Sequence, residues 1–198
     1  MKMLERHTVM QFDICSSSMI MQELIALKKI DAWLDLLSWI QGYLNEASAQ
    51  FLFRPFKFTG DGWILLFRYD PKDDLVLFAD EFSQKFSMKI DRLVKEYLSA
   101  VPNITGVTFG VDRGDLINVS GIMGFWDYVG WPLNVVARLV KARNGDTSPQ
   151  YKMLMTKGVY RILKQHLVDY PVKHVARKLK NIAGDKKFHC VQVRIKDL

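Results

Sequence analysis

The sequence predicts an α+β fold. Its expected core is a ferredoxin-like or palm-type β-α-β-β-α-β unit, with a mixed, mainly antiparallel sheet and packed helices. Three observations predict it. Short apolar strand-like stretches alternate with long segments whose apolar residues recur at three- and four-residue steps. Thr59-Gly60-Asp61-Gly62 pinches two apolar runs into a hairpin. No Pro/Gly/Ser-rich linker, low-complexity run or internal repeat divides the 198 residues, which are 49% hydrophobic and 25% charged. One domain, 1–198, with one sizeable core is therefore expected.

The elements follow in order. Thr8 to Ile14 reads as a strand, and Ser16 to Ser18 suit a helix N-cap. From Met19 to about Asn45 one helix is expected, because Ile20, Leu24, Leu27, Ile30, Trp33, Leu36, Leu37, Ile40 and Leu44 recur at helical spacing. Phe51 to Phe58 and Trp63 to Phe67 form the hairpin. A second long helix spans about Lys72 to Ala100, between Pro71 and Pro102. Thr105 to Val111 is a strand; Arg113-Gly114-Asp115 reads as a turn into a further strand, Leu116 to Ser120. Leu133 to Ala142 is a helix with Val136, Leu139 and Val140 inward. A strand at Lys152 to Met155, a helix at Lys157 to Leu167 and a strand at Lys187 to Ile195 complete the chain.

Charge narrows the function classes. The formal net charge is +7 and the isoelectric point about 9.4, which favours an anionic partner. Lys173, Arg177, Lys178, Lys180, Lys186 and Lys187 crowd the C-terminal part, either as a solvated basic face or as help in holding a polyphosphate. Two cysteines, Cys15 and Cys190, make no disulfide framework, so a reducing cytoplasm fits. The N-terminus lacks the apolar core of a signal peptide, and charges interrupt every apolar run before it reaches membrane-spanning length. No membrane partner is expected.

Two acidic residues stand out. Asp13 ends an apolar strand and Asp61 sits in the hairpin turn. Each alone reads equally as a cap or turn residue. In a β-α-β-β order, however, the strands that carry them can lie side by side. Two carboxylates meeting at one edge could hold two divalent cations, which bridge phosphates and lower the pKa of an attacking hydroxyl.

Several stretches then resemble one family. "FDICSSS" and "KFTGDG" resemble the two metal-binding motifs of the class III nucleotidyl cyclases, the adenylate and guanylate cyclase superfamily. "FGVDRGD" resembles the strand-turn that follows, and "WDYVGWPLNVVARL" the stretch with a base-reading residue, a Gly, and an Asn and Arg on a helix. The resemblance runs from about Val9 to Leu139, in order. It implies that Asp13 and Asp61, with the Ile14 carbonyl, bind two metal ions, Mg²⁺ or Mn²⁺. It implies that Lys57 and Asp127 address the base, that Asn134 orients the ribose, and that Arg138 stabilises charge on the α-phosphate as pyrophosphate leaves. Phe12, Thr59, Ser16 and Ser17 are implied as substrate contacts, the last two through backbone N–H groups at a helix start. A nucleoside triphosphate is the implied substrate, and a homodimer with shared active sites the implied assembly: the metal carboxylates come from one subunit, the base-reading pair, Asn and Arg from the other.

Departures are visible. Ser16-Ser17 replaces the family's Gly and aromatic residue. Asp115 stands where the family has a phosphate-contacting Arg, with Arg113 close by. The terminal Lys contact could be Lys178, Lys180, Lys186 or Lys187.

The base is left open. Lys57 donates and Asp127 accepts, which suits adenine, cytosine or uracil better than guanine. Phe12, Phe56, Phe58, Trp126, Tyr128 and Trp131 crowd the motifs and either shrink the pocket against a purine or serve packing. The short chain resembles the freestanding pyrimidine cyclases of bacterial Pycsar anti-phage systems, which make cyclic UMP or cyclic CMP; a freestanding adenylate cyclase is the alternative. Two other classes remain: a catalytically silent dimerisation module, and a basic nucleic-acid-binding domain. The latter gives no reason for the paired Asp, so no nucleic-acid partner is expected.

Overall fold

A computed structural model describes residues 4–98, 102, 104–124, 126–142, 150–182, 184 and 186–195. The strands are β1 (Leu4–Ile14), β2 (Phe53–Phe58), β3 (Gly62–Phe67), β4 (Gly106–Asn118), β5 (Tyr128–Val129), β6 (Gln150–Thr156), β7 (Val172–Arg177) and β8 (Phe188–Arg194). The helices are α1 (Ser17–Ala26), α2 (Ile30–Gln50), α3 (Asp74–Tyr97), α4 (Ser120–Met123), α5 (Trp131–Leu139) and α6 (Lys157–Leu163). They build one sheet in the order β2-β3-β1-β4-β6-β8-β7, with β5 on β4. All pairings are antiparallel except β4 with β6. The expected β-α-β-β-α-β core is therefore present, in the order β4-β1-β3-β2. None of the described helices is long and apolar enough to cross a membrane.

The sheet has two unequal faces because side chains alternate along each strand. Met10, Phe12 and Ile14 of β1 join Trp63, Leu65, Phe67, Val107, Phe109, Val111, Met153 and Met155 on the face covered by α1, α2, α3 and α6. Its centre is aromatic: Phe82 lies 4.9 Å from Phe12 and 5.7 Å from both Phe78 and Phe86, ring centre to ring centre. Truncating one such buried ring to Ala costs about 3–5 kcal/mol. On the opposite face α5 packs Val135, Val136 and Leu139 against β1, β3, β4 and β6.

Several expectations are corrected. The single helix from Met19 to Asn45 is two, α1 and α2. Lys28 is left-handed at φ 56, the Lys29 N–H donates to the Leu24 carbonyl at 2.8 Å and the Lys28 N–H to that of Ile25 at 3.0 Å. This is a Schellman stop, which Lys hides because Gly usually marks it. The expected turn at Arg113-Gly114-Asp115 is continuous strand, since β4 pairs with β1 throughout, Thr8 with Arg113 and Arg6 with Asp115. Gly114 serves packing: a Cβ there would stand 3.0 Å from the Pro132 side chain. The strand expected at Leu116 to Ser120 is the end of that same strand, and Ser120 already opens α4. Finally, Lys173 and Arg177 of the basic stretch lie in β7, an edge strand that the apolar pattern did not reveal; exposed Lys on an edge resists unwanted pairing. The expected last residues of α3, Ser99 and Ala100, lie outside the described residues.

Candidate active site

The site begins where β1 stops. Asp13 pairs with Gly62 of β3 on one side and Thr108 of β4 on the other, and is only 6% exposed. Gly62 is required there. A Cβ on it would overlap the Phe12 carbonyl oxygen and stand 2.8 Å from that carbonyl carbon. The hairpin before it closes with the Thr59 N–H donating to the Gly62 carbonyl at 2.9 Å, and Gly60 takes a φ of 102°. Asp61 is thereby held beside β1: the Ile14 N–H donates to the Asp61 carbonyl at 3.0 Å.

The chain then turns from strand to helix within two residues. Cys15 N–H donates to the Gly106 carbonyl at 2.8 Å. Ser16 is left-handed at φ 57, a conformation that Gly adopts more readily. Its hydroxyl donates to the Ile104 carbonyl at 2.6 Å, which anchors the turn. The Ser17 hydroxyl, at the first position of α1, donates to Asp61 Oδ2 at 2.6 Å. The Ser16-Ser17 departure from the resembling motif thus sits at a backbone position where Gly would be the easier residue.

These pieces line one open cleft of about 460 Å³, formed by Asp13, Ser16, Ser17, Ser18, Met19, Asp61 and Lys141. Among the described residues no group of three or more His, Cys, Asp or Glu side chains gathers as a metal cage. Among the described residues the donor set is two carboxylates and nearby backbone and hydroxyl oxygens, with no thiolate or imidazole lining the cleft. Hard oxygen donors in that number fit Mg²⁺ or Mn²⁺, which take one or two carboxylates and complete their shells with water and substrate phosphates. The residues present fit such an ion. Ser17 orients Asp61 as outer-shell hydrogen bonds orient metal ligands generally.

A second cluster lies on β2, the outer strand of the β2-β3 hairpin, next to its turn. Lys57 Nζ meets Asp127 Oδ2 at 3.1 Å, with the lysine half exposed and the aspartate 14% exposed. An ion pair of this exposure contributes about 0–1 kcal/mol, so stability is a weak reason for it. Asp127 is fixed: its N–H donates to Ser120 Oγ at 3.1 Å and its Oδ1 accepts the Tyr128 N–H at 2.8 Å. Beside the pair, Trp126 packs edge-on to Phe56 and Tyr128. The Arg54 guanidinium lies 3.8 Å from the centre of the Trp126 ring and donates to the Tyr128 hydroxyl at 3.1 Å.

Asn134 and Arg138 form a third place. Both are exposed on the outer side of α5 and neither lines the carboxylate cleft of its own chain. The structure therefore brings Asp13, Ile14, Asp61, Ser16 and Ser17 together, joins Lys57 to Asp127, and leaves Asn134 and Arg138 facing outward. Thr59 is exposed in the hairpin. Phe12 differs from its expected role: its ring is fully buried against Trp63, Phe82 and Phe109 on the helix-covered face, so it offers a substrate no side-chain contact. Arg113 is engaged elsewhere, with Asp70 at 2.9 Å and the Tyr69 ring at 3.6 Å; Asp115 stands 3.7 Å from Arg6.

Sequence reasoning missed two features. Lys141 follows Arg138 by three residues and Asn134 by seven, a helical repeat that could have flagged it. Asp112 is buried beneath α5's face, where burial pushes its carboxyl pKa up against hydrogen bonds from the Thr156 hydroxyl, at 2.8 Å, and the Arg113 N–H. Both cysteines are buried and outside any disulfide, and burial pushes the Cys190 thiol up to about 11.

No protein-family model matches the sequence, and no curated protein matches it. Solved structures do match in fold. The guanylyl cyclase Cya2 superposes with a TM-score of 0.70 at 12% identity, over 96% of this chain and 92% of that one. The adenylyl cyclase CyaB from P. aeruginosa gives 0.64 at 16% identity, over 98% and 96%. An adenylate/guanylate cyclase/hydrolase from Silicibacter pomeroyi gives 0.64 at 20% identity, over 98% and 99%. At such identities the likeness establishes the fold: an open, mostly antiparallel sheet with packed helices, as in these cyclase domains.

Proposed function

We propose that this protein is a nucleotidyl cyclase, converting a nucleoside triphosphate into a 3′,5′-cyclic nucleotide and pyrophosphate. The observation that carries the reading is the meeting of Asp13 and Asp61, remote in sequence, in one cleft at the start of α1. In the reaction a bond forms from the ribose 3′-oxygen to the α-phosphorus while the bond to the pyrophosphate oxygen breaks. Two bound Mg²⁺ or Mn²⁺ ions would activate that hydroxyl and neutralise the departing group. Asp13, Asp61 and the Ile14 carbonyl would hold them. The N–H groups at the start of α1 face the phosphates, where a helix N-terminus favours anions.

The site is complete only in a pair of chains on this reading. Asn134 and Arg138 point away from their own carboxylate cleft, which supports service to a partner copy's cleft, with Asn134 orienting the ribose and Arg138 meeting charge on the α-phosphate. An uncovered apolar stripe supports such a homodimer. Leu4, Ile117 and Val129 align across β1, β4 and β5, and all are exposed, as are Met123 and Ile122, the last at 79%.

For the base, Lys57 and Asp127 supply one donor and one acceptor. The Phe56, Trp126 and Tyr128 wall beside them supports a small base, hence UTP or CTP and cyclic UMP or cyclic CMP; ATP is the second reading, since adenine presents the same edge. The second-messenger role in anti-phage defence rests on the sequence resemblance, and two buried cysteines outside any disulfide suit a reducing cytoplasm. The test is incubation with each of the four nucleoside triphosphates and Mn²⁺, identifying the cyclic product by mass. Wild type should release pyrophosphate and Asp61→Ala should not. An Asp61→Ala protein with full turnover would end the two-carboxylate reading, and cyclic AMP as sole product would end the pyrimidine one.

A further inference from the structure

We infer that Lys141 is a triphosphate-contacting residue acting in its own chain's cleft, an inference that rests on the cyclase reading. Among the described residues that line the cleft with Asp13 and Asp61, Lys141 is the one cation. It is exposed, and among the described residues it makes no ion pair with either carboxylate. A lysine set beside two carboxylates yet not spent on them is available to an anion that enters between.

Its position is built, not incidental. Lys141 directly follows Val140, which is fully buried, at the end of α5. The helix can press that close to the sheet because Gly110 lies under it: a Cβ there would stand 2.7 Å from the Val136 carbonyl oxygen and 3.1 Å from Val140 Cγ1. Gly110 is two residues from Thr108, which pairs with Asp13. The end of α5 is thereby pinned at the level of the carboxylates. Asn134, Arg138 and Lys141 follow one helical stripe, but only Lys141 reaches the local cleft. One helix would then serve two sites: Arg138 the partner's, Lys141 its own.

The chemistry is that of a flexible ammonium against a polyphosphate. Two carboxylates lower the positive charge that divalent ions bring, so a triphosphate in this cleft is short of cations. A charge-assisted bond from Lys141 Nζ to a phosphate oxygen supplies one. Since it meets the ground state and the transition state alike, it acts mainly on KM.

The test uses the full chain in three measurements. Lys141→Ala should raise KM for the preferred triphosphate about 10-fold with a smaller change in kcat, and Lys141→Arg should restore most of it. Calorimetric titration with inorganic tripolyphosphate in Mn²⁺ should show a matching loss, about 10-fold in Kd, independent of turnover. Mixing variants separates the two sites. Lys141→Ala with Arg138→Ala should recover activity, because one site in the mixed dimer keeps every group. Lys141→Ala with Asp13→Ala should recover none, because both defects fall in cis, one in each site. Recovery in that second mixture, or tripolyphosphate affinity unchanged by Lys141→Ala, overturns the inference. A wild-type protein that turns over no triphosphate would sink the cyclase reading instead, while the tripolyphosphate titration would still judge Lys141.

Discussion

Gly62→Ala tests whether the meeting of Asp13 and Asp61 depends on backbone contact between β1 and β3. The added methyl would overlap the Phe12 carbonyl oxygen and stand 2.8 Å from its carbon and 3.2 Å from Asp13 Cα, where ordinary contact starts at 3.4 Å. All three are backbone atoms, so no rotamer change relieves the clash. The carbonyl carbon alone demands a retreat of about 0.6 Å, and the oxygen more, so β3 must move from β1 by on the order of 1 Å. Asp61 directly precedes Gly62 in the hairpin and moves with it. A misplacement of about 1 Å between reacting groups costs about 100-fold in rate, or about 2.7 kcal/mol in barrier. Overpacking should also cost about 1–3 kcal/mol of stability. The assay is pyrophosphate release at saturating Mn²⁺, beside a thermal melt to establish that the variant is folded. A folded Gly62→Ala protein with wild-type turnover would refute the reasoning, because the pair would then tolerate displacement.

Three further outcomes are expected. Ser17→Ala removes the hydroxyl that donates to Asp61 at 2.6 Å, and should raise the Mn²⁺ concentration for half-maximal activity about 10-fold, read from a metal titration. Asp112→Asn should raise the melting temperature near neutral pH. The raised folded pKa means that ionising Asp112 costs stability, a cost that grows as pH climbs from about 3.9 through the folded value and is complete above it; the gain should vanish below about pH 4. Gly42→Ala, in exposed helix interior with nothing within 4 Å of the new methyl, should stabilise by about 0.5–1 kcal/mol, seen as a small rise in melting temperature without loss of activity.

The elements of the core were legible because their signals are local. Short apolar runs marked β1 and β3, and helical recurrence marked α2 and α3. The failures have equally local causes. Lys28 terminates α1 in a conformation usually reserved for Gly, and Gly114 looks like a turn because the sequence does not show Pro132 packing over it. β7 was invisible because a charged edge strand lacks the apolar period.

The sequence by itself determined the donors: which residues carry carboxylate, ammonium, amide and guanidinium groups, and on which kind of element. It did not determine who meets whom. Asp13 faces Asp61 because β1 lies between β3 and β4, because Gly62 has no side chain, and because Ser16 turns left-handed. Lys141 reaches that cleft, and Arg138 does not, because α5 is pressed onto Gly110 in one rotation. Phe12 lost its expected contact for the same kind of reason: strand alternation sends its ring to the opposite face from Asp13. Periodicity is written within a few residues, whereas these meetings depend on strand order and on close backbone approaches between segments far apart in the chain.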